Sequence, residues 1–372
     1  MNRREFIKWS AGGIVIAGGL PMFSSLSELE TVARENLPKN VHGLEDAYVD
    51  ILYFASLAPS GHNTQPWIVK LITDNHWIIG TDSTRWLTVI DPENRETLIS
   101  IGAFLENLIV AANAKNYSVE LNIIAQNGKD KDIAEIKLHK ATQANVFDIQ
   151  NIALRRTVRN NLLTAALTNE DITFLVGENQ DSFFYFPMDA VDGKYLTEMT
   201  LVANKVQTYQ NTAQEELAKW VRWSNREIQQ FGNGLTAETM EIEGIARWYV
   251  KNFYSSQAVL ENSFREETIK KIQEQVAAGS GWLLITSKDS SVAELIQVGR
   301  NLQRMWLGVR ERKIAIHPMN QMIEDVAMRS ELSSTLKIAG DVQLLLKVGY
   351  INHYPQPVSP RMPLQNIILH EC

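Results

Sequence analysis

Two short stretches hold the side chains best suited to chemistry. The first is APSGHNTQPW, Ala58–Trp67. Asn63 and Gln65 each carry a donor and an acceptor, and Ser60 adds a hydroxyl. Such groups can pair with the polar edge and hydroxylated chain of a ring cofactor. Gly61 lets backbone come close, and Trp67 offers a flat face or a packing plug. The same composition also describes a well-capped turn with Trp67 in the core. The second stretch is Leu154-Arg155-Arg156-Thr157-Val158-Arg159. Arg155 and Arg159 stand one helical turn apart, and Arg156 shares a face with Arg159. At the start of a helix, free backbone N–H groups would add to their attraction for an anion. Arginine's fork binds phosphate oxygens in pairs. Taken alone, the cluster also reads as a solvated basic face with surface carboxylate partners. Other chemistry is thin. His62, His317 and His353 are isolated, with no metal-ligand spacing. No G-x-G-x-x-G, P-loop or G-x-S-x-G is present.

The elements that must position these residues can be read from periodicity. Apolar residues near helical spacing predict a helix over 44–58, which APSGHNTQPW breaks. Ile68–Asp82 alternates and is β-branched, predicting two strands. Asp91-Pro92 opens a helix to about Asn116, and strands follow over 118–126 and 134–142. A second half begins near Asp148, with strands at 181–188, 281–287 and 341–351. A helix spans 290–312, and the tail HYPQPVSPRMPL is proline-rich and extended. Ile101–Tyr117 aligns without gaps on Val298–Ile314 at an offset of 197 residues, Gly102 meeting Gly299 and Leu105 meeting Leu302. Two buried helices can share such a pattern by chance, but each is preceded by a strand, and this favours internal duplication.

The chain has 372 residues, 45% of them apolar, enough for one large or two moderate domains. Its net charge of −7 makes it a poor candidate for nucleic acid. The single cysteine, Cys372, excludes an internal disulfide framework and a cysteine metal cluster. Residues 1–30 read apart from the fold. Arg3, Arg4 and Lys8 precede the weakly apolar run Trp9–Phe23, the pattern of an export signal. The paired arginines followed by Phe6-Ile7-Lys8 resemble the twin-arginine class. That run is short for a spanning helix, and no clean A-x-A site follows, so cleavage and retention as a membrane tether both stay open. A disordered basic N-terminus is the plainer alternative.

Together the motifs resemble those of the FMN-dependent nitroreductases. Ala58-Pro59-Ser60, Asn63 and Gln65-Pro66-Trp67 are similar to the family's A-P-S-x-x-N-x-Q-P-W signature. Arg155–Arg159 is similar to R-R-S-x-R, with Thr157 for Ser. Ser359–Leu364 is similar to a C-terminal P-R-x-P-L segment, and Gly102–Leu108 resembles the long central helix. The order departs from the ordinary family, where the arginines open the domain and the loop follows. Here the first half, 44–147, has the loop without the arginines. The second half, 148–370, has the arginines and Arg361 without the loop. This matches single-chain, internally duplicated relatives labelled Acg-like. The resemblance implies an α+β fold: a nitroreductase-like sandwich, an antiparallel-rich sheet wrapped by helices, in two pseudo-symmetric halves. It implies one FMN per chain in a monomer that imitates a dimer. Arg155, Arg159 and Arg361 would neutralise the phosphate, with Arg156 near it or the ring's pyrimidine edge. Thr157 would bond the phosphate or ribityl chain. Ser60 and Asn63 would approach from the other half, and Gln65 and Trp67 would support the loop. His317-Pro318 lies near where family members set backbone against the flavin.

The implied function is hydride transfer from NAD(P)H through FMN to a small oxidised acceptor, nitroaromatic or quinone-like, with no protein side chain needed as acid or base. Twin-arginine export implies a periplasmic protein or one tethered to the outer face of the inner membrane. One feature stands outside the family pattern. A helical, aromatic stretch of about 193–278 reads as an insertion that forms a lid or an interface, although most of its aromatics suit a core of its own. A lidded FMN-storage protein without turnover is the competing class, and an export-linked interaction protein without cofactor the third.

Overall fold

The alternating run WIVKLIT folds as strand β1 (Trp67–Thr73): Trp67, Val69 and Leu71 are buried, and Ile72 and Thr73 face water. By contrast GWLLITS, strand β8 (Gly281–Ser287), is buried at every position because both faces of its sheet are covered. The computed structural model describes residues 41, 43–141, 148–177, 179 and 181–370. The signal-like segment 1–30 and Cys372 lie outside the described residues.

Strands β2 (His76–Thr81), β3 (Tyr117–Ile123), β4 (Asp132–Lys140), β5 (Phe183–Pro187), β6 (Val221–Arg222), β7 (Leu235–Thr236), β9 (Ile314–Pro318), β10 (Asp341–Tyr350) and β11 (Ile368–His370) complete the set. One sheet has the order β11-β1-β2-β4-β3, the other β5-β8-β10-β9. All pairings in them are antiparallel except β11 on β1, where Val69 lies opposite Ile368. The fold is therefore mixed α+β with antiparallel-rich sheets. The C-terminal strand does not stay with the second sheet. It crosses to the first and carries the segment around Arg361 with it.

The helices among the described residues are α1 (Asp46–Ser56), α2 (Arg95–Ala114), α3 (Ile149–Leu154), α4 (Asn169–Val176), α5 (Val191–Tyr209), α6 (Asn211–Trp220), α7 (Asn225–Phe231), α8 (Gly244–Phe253), α9 (Asn262–Ala277), α10 (Val292–Gly308), α11 (Gln321–Glu324) and α12 (Val326–Leu336). Asp91 starts α2 by accepting the N–H groups of Glu96 at 3.0 Å and Thr97 at 2.9 Å. Helix α2 is long and apolar enough to cross a membrane by length and composition, but 83% of that window is buried inside the protein. It packs on α10 in a core fed by both sheets, Val69 and Leu346 among them. A second core joins the outer face of β8 and β10 to α5, α11 and α12. The stretch 193–278 is not uniformly helical. The parallel pair β6–β7 interrupts it, and Trp223, Val250 and Val259 give it a core of its own.

The crossing of α2 and α10 obeys the offset read from the sequence. A Cβ on Gly102 would lie 2.1 Å from the Ile296 carbonyl oxygen, and one on Gly299 would lie 1.9 Å from that of Ile99. Ile296 follows Ile99 by the same 197 residues that separate the glycines. The polar pairs exchange likewise: Arg304 donates to Glu106 at 2.9 Å, and Gln303 donates to Asn107 at 2.7 Å. Each of these four contacts maps onto a counterpart, as in an isologous dimer interface.

Backbone contact this close leaves no room for a methyl group. Gly299→Ala should lower unfolding free energy by about 1–3 kcal/mol, read as a lower denaturation midpoint. An unchanged midpoint would refute the tight crossing.

Candidate functional site

The loop between α1 and β1 holds a costly backbone. His62, Asn63 and Gln65 have φ of 46°, 55° and 53°, left-handed geometry that costs a side-chain-bearing residue about 1 kcal/mol or more. Hydrogen bonds fix it in place. The Gln65 N–H donates to Ser60 Oγ at 3.0 Å. Gln65 Nε2 donates to the Gly232 carbonyl at 2.9 Å, and its Oε1 accepts the Met362 N–H at 3.0 Å. Asn63 Nδ2 donates to the carbonyls of Gly234 and Pro360, both at 3.1 Å, and its backbone carbonyl accepts the Gly234 N–H at 3.0 Å. Asn63 Oδ1 accepts from Arg361 at 2.8 Å. Three distant segments are thus tied together: the loop, the bend Phe231-Gly232-Asn233-Gly234 and the C-terminal crossover. At Gly232, with φ of 62°, a Cβ would lie 2.8 Å from the Arg361 carbonyl oxygen.

The arginine cluster differs from its expected form. Helix α3 ends at Leu154, and Arg155 begins an extended segment with φ −62° and ψ 135°. No helix N-terminus is present there. Extended chain alternates its side chains, so Arg155, Thr157 and Arg159 go together. Arg156 instead meets Glu241 of the insertion at 3.1 Å. The Val158 N–H donates to the Ile316 carbonyl at 3.1 Å, holding the segment against β9.

These pieces enclose a cavity of about 1210 Å³, larger than the roughly 300–1,000 Å³ of ordinary small-molecule pockets. Ser60, Asn63, Arg155, Arg156, Thr157, Arg159 and Arg361 all line it. Gln65 does not; it sits behind the wall and ties the loop. The insertion contributes Tyr249, Tyr254 and Phe264 to the lining, so it covers the cavity as well as packing on itself.

One region of the lining gathers buried positive charge. Arg155 and Arg361 donate to the same carbonyl, that of Leu57, at 3.1 and 2.9 Å. Arg155 also lies over the Trp306 ring, 5.0 Å from its centroid. Among the described residues neither has a carboxylate partner, and the Nε of each is buried with no hydrogen-bond partner. Burial pushes the Arg155 guanidinium down to about 10. Burial, with repulsion from Arg155, pushes Arg361 down to about 9. Arg159 donates to the Thr239 carbonyl at 2.9 Å and is also lowered by burial, against the pull of Glu241. His62 and His317 line the same cavity, each with Nδ1 buried and unpartnered. Burial and then Arg159 lower both, His62 to about 4, so both imidazoles are neutral at neutral pH. Buried cations without anions are costly. The donor set fits a ligand that brings an oxyanion and further hydrogen-bonding edges.

The cavity also has an acidic wall that the sequence did not reveal. Glu96 accepts from Asn320 at 2.8 Å and Arg95 at 3.2 Å. Glu324 lies near it and is bonded to Gln207. Burial and then the Glu96 charge raise the Glu324 carboxyl to about 8, Asp91 adding to the rise and Arg95 opposing it. No spacing rule flags Glu324 or Glu241, because each acquires its role from a segment far away in the chain.

No protein-family model matches this chain. It is 23% identical over 342 residues to the Serratia protein PigM, whose name makes it a probable NAD(P)H nitroreductase. That match covers 87% of this chain and 93% of PigM. Two Mycobacterium tuberculosis proteins carry the same name, NAD(P)H nitroreductase, provisionally. Rv3131 is 23% identical, over 86% of this chain and 90% of its own length. The protein acg is 21% identical, over 87% and 95%. A crystal structure of a protein from Anabaena variabilis, provisionally named a nitroreductase, superposes with a TM-score of 0.37 and 10% identity, covering 86% of this chain and 91% of that one.

Because the folded protein keeps Glu324 protonated up to about 8 while an unfolded glutamate ionises near 4.5, its contribution to stability is full below 4.5 and is lost as pH rises toward 8. Glu324→Gln should flatten that decline in a pH series of thermal melts. An identical pH profile would refute the burial of this carboxyl.

Proposed function

We propose that this chain is an FMN-binding oxidoreductase of the nitroreductase type, passing hydride from NAD(P)H to a small oxidised acceptor. The observation that carries the reading is the set of buried guanidiniums without counter-charge, Arg155 and Arg361, beside Arg159. Full-length similarity to proteins named as NAD(P)H nitroreductases supports it. In this reading Arg155, Arg159 and Arg361 hold the phosphate, and Thr157 bonds the phosphate or ribityl chain. Ser60 and Asn63 shape the opposite wall, while Gln65 locks the loop from behind. Arg156 stands at the edge of the site, held by Glu241. FMN would supply the two-electron hydride chemistry, and the chain's residues bind, orient and exclude water. The neutral imidazoles of His62 and His317 offer uncharged hydrogen-bonding atoms beside the cations.

The exchange of contacts about Gly102 and Gly299 supports an internally duplicated chain. It would work as a monomer in place of a dimer, with one FMN. Residues 1–30 would direct it through the twin-arginine route to the periplasm or the outer face of the inner membrane. Because the insertion lines the cavity, a second reading keeps the same ligand without turnover: an FMN-storage protein under a lid.

The purified chain, freed of residues 1–30, should show a flavin band with about one FMN per chain. Anaerobic NADPH or NADH should bleach it, and a nitroaromatic or quinone should restore it. A band that persists favours storage, and a content near two per chain defeats the single-site reading. Arg155→Ala with Arg159→Ala should weaken FMN at least ~100-fold, since each charge-assisted hydrogen bond is worth about 1.5–3 kcal/mol. Retention of FMN by that variant would refute the site.

A further inference from the structure

The contact between Glu241 and the arginine segment is built like an anion site that is already filled. Glu241 takes the Arg156 guanidinium at 3.1 Å, the Arg159 N–H at 3.2 Å and the Asn160 N–H at 2.8 Å. Its own carbonyl accepts from Asn160 Nδ2 at 3.4 Å. Two successive backbone N–H groups with a guanidinium form a nest for an oxyanion, and here the oxyanion is a side chain of the insertion. Glu241 itself sits at a left-handed φ of 56°, which costs a side-chain-bearing residue about 1 kcal/mol or more. The side chains of the pair are only 11% and 8% exposed.

The pair also stands between two spaces. A second cavity of about 450 Å³ is lined by Arg156, Asn160, Glu241 and Glu243 together with Asn352 and His353. Arg156, Glu241 and Glu243 line the large cavity too. Asn161, Glu243, Asn352 and His353, on the wall of the second cavity, are exposed. The second cavity is therefore a vestibule at the protein surface, and the Arg156–Glu241 pair borders both spaces.

We infer that Glu241 is a latch: its carboxylate holds the insertion shut by occupying the nest of Arg156, Arg159 N–H and Asn160 N–H, and its release opens the vestibule to the large cavity for a ligand bearing a phosphate or carboxylate. The incoming oxyanion takes over the donors that Glu241 gives up, so entry exchanges one anion for another and leaves no guanidinium bare. The inference rests on the flavin reading for the ligand, but not for the latch itself.

Two measurements test it. The first is the association rate of FMN with apoprotein, followed by quenching of flavin fluorescence. The second is hydrogen–deuterium exchange of residues 235–254 without ligand. Glu241→Gln keeps the shape and removes the charge. It should bind FMN about tenfold faster and exchange 235–254 faster by a similar factor, the effect of one lost charge-assisted hydrogen bond. Glu241→Asp, which withdraws the carboxylate by one methylene, should do the same and carries the test if the glutamine variant fails to melt cooperatively. Unchanged exchange in both variants overturns the latch, whatever FMN does. Faster exchange with an unchanged association rate overturns the vestibule as the route. If the wild-type apoprotein does not quench FMN at all, the flavin reading fails and exchange alone decides the latch.

Discussion

The architecture turns on the place where two helices touch through bare backbone. Gly102 and Gly299 let α2 and α10 approach until each glycine Cα faces a carbonyl of the other helix. Interiors are packed too densely to absorb even a methyl group there. Both helices line the cavity, α2 through Ile99 and Ala103, α10 through Leu302 and Trp306. Their separation therefore sets the width of the site. A loop from one end of the chain and arginines from the middle meet because this crossing fixes the distance between the sheets that carry them.

Regular elements were legible where periodicity is strong. The segment 281–287 is a strand as read, and the helix expected from Asp91 to about Asn116 appears over Arg95–Ala114. Less was legible where partners are remote. Strand β11 has three residues and forms only because β1, some three hundred positions earlier, offers a free edge. Strand β9 lies beyond the helix expected at 290–312 and matched no expected element, since Ile314–Pro318 has too few residues to show alternation. The arginine cluster was recognised but given the wrong backbone. Spacing of three and four suits a helix, and nothing local reveals that β9 holds Arg155–Arg159 extended.

The site was legible as residue types and hidden as a pattern of charge. The seven residues expected to meet the cofactor line one cavity, and Gln65, expected to support the loop, lies outside it. What could not be read was the separation of sign within that cavity. Unpaired guanidiniums face one region, and a carboxyl held protonated by burial faces another, although the chain as a whole carries −7. Charge pairs that form across insertion, loop and tail leave no trace in sequence spacing.

The C-terminal crossover has a consequence in time. Arg361 and β11 are made after both signature motifs, yet they complete the wall around Asn63 and the edge of the first sheet. Domains generally fold in the order of synthesis. Here the first half can collapse early, but its loop cannot be locked until the segment carrying Arg361 and β11 has left the ribosome. A truncated or stalled product would hold both signature motifs and still lack a finished cavity.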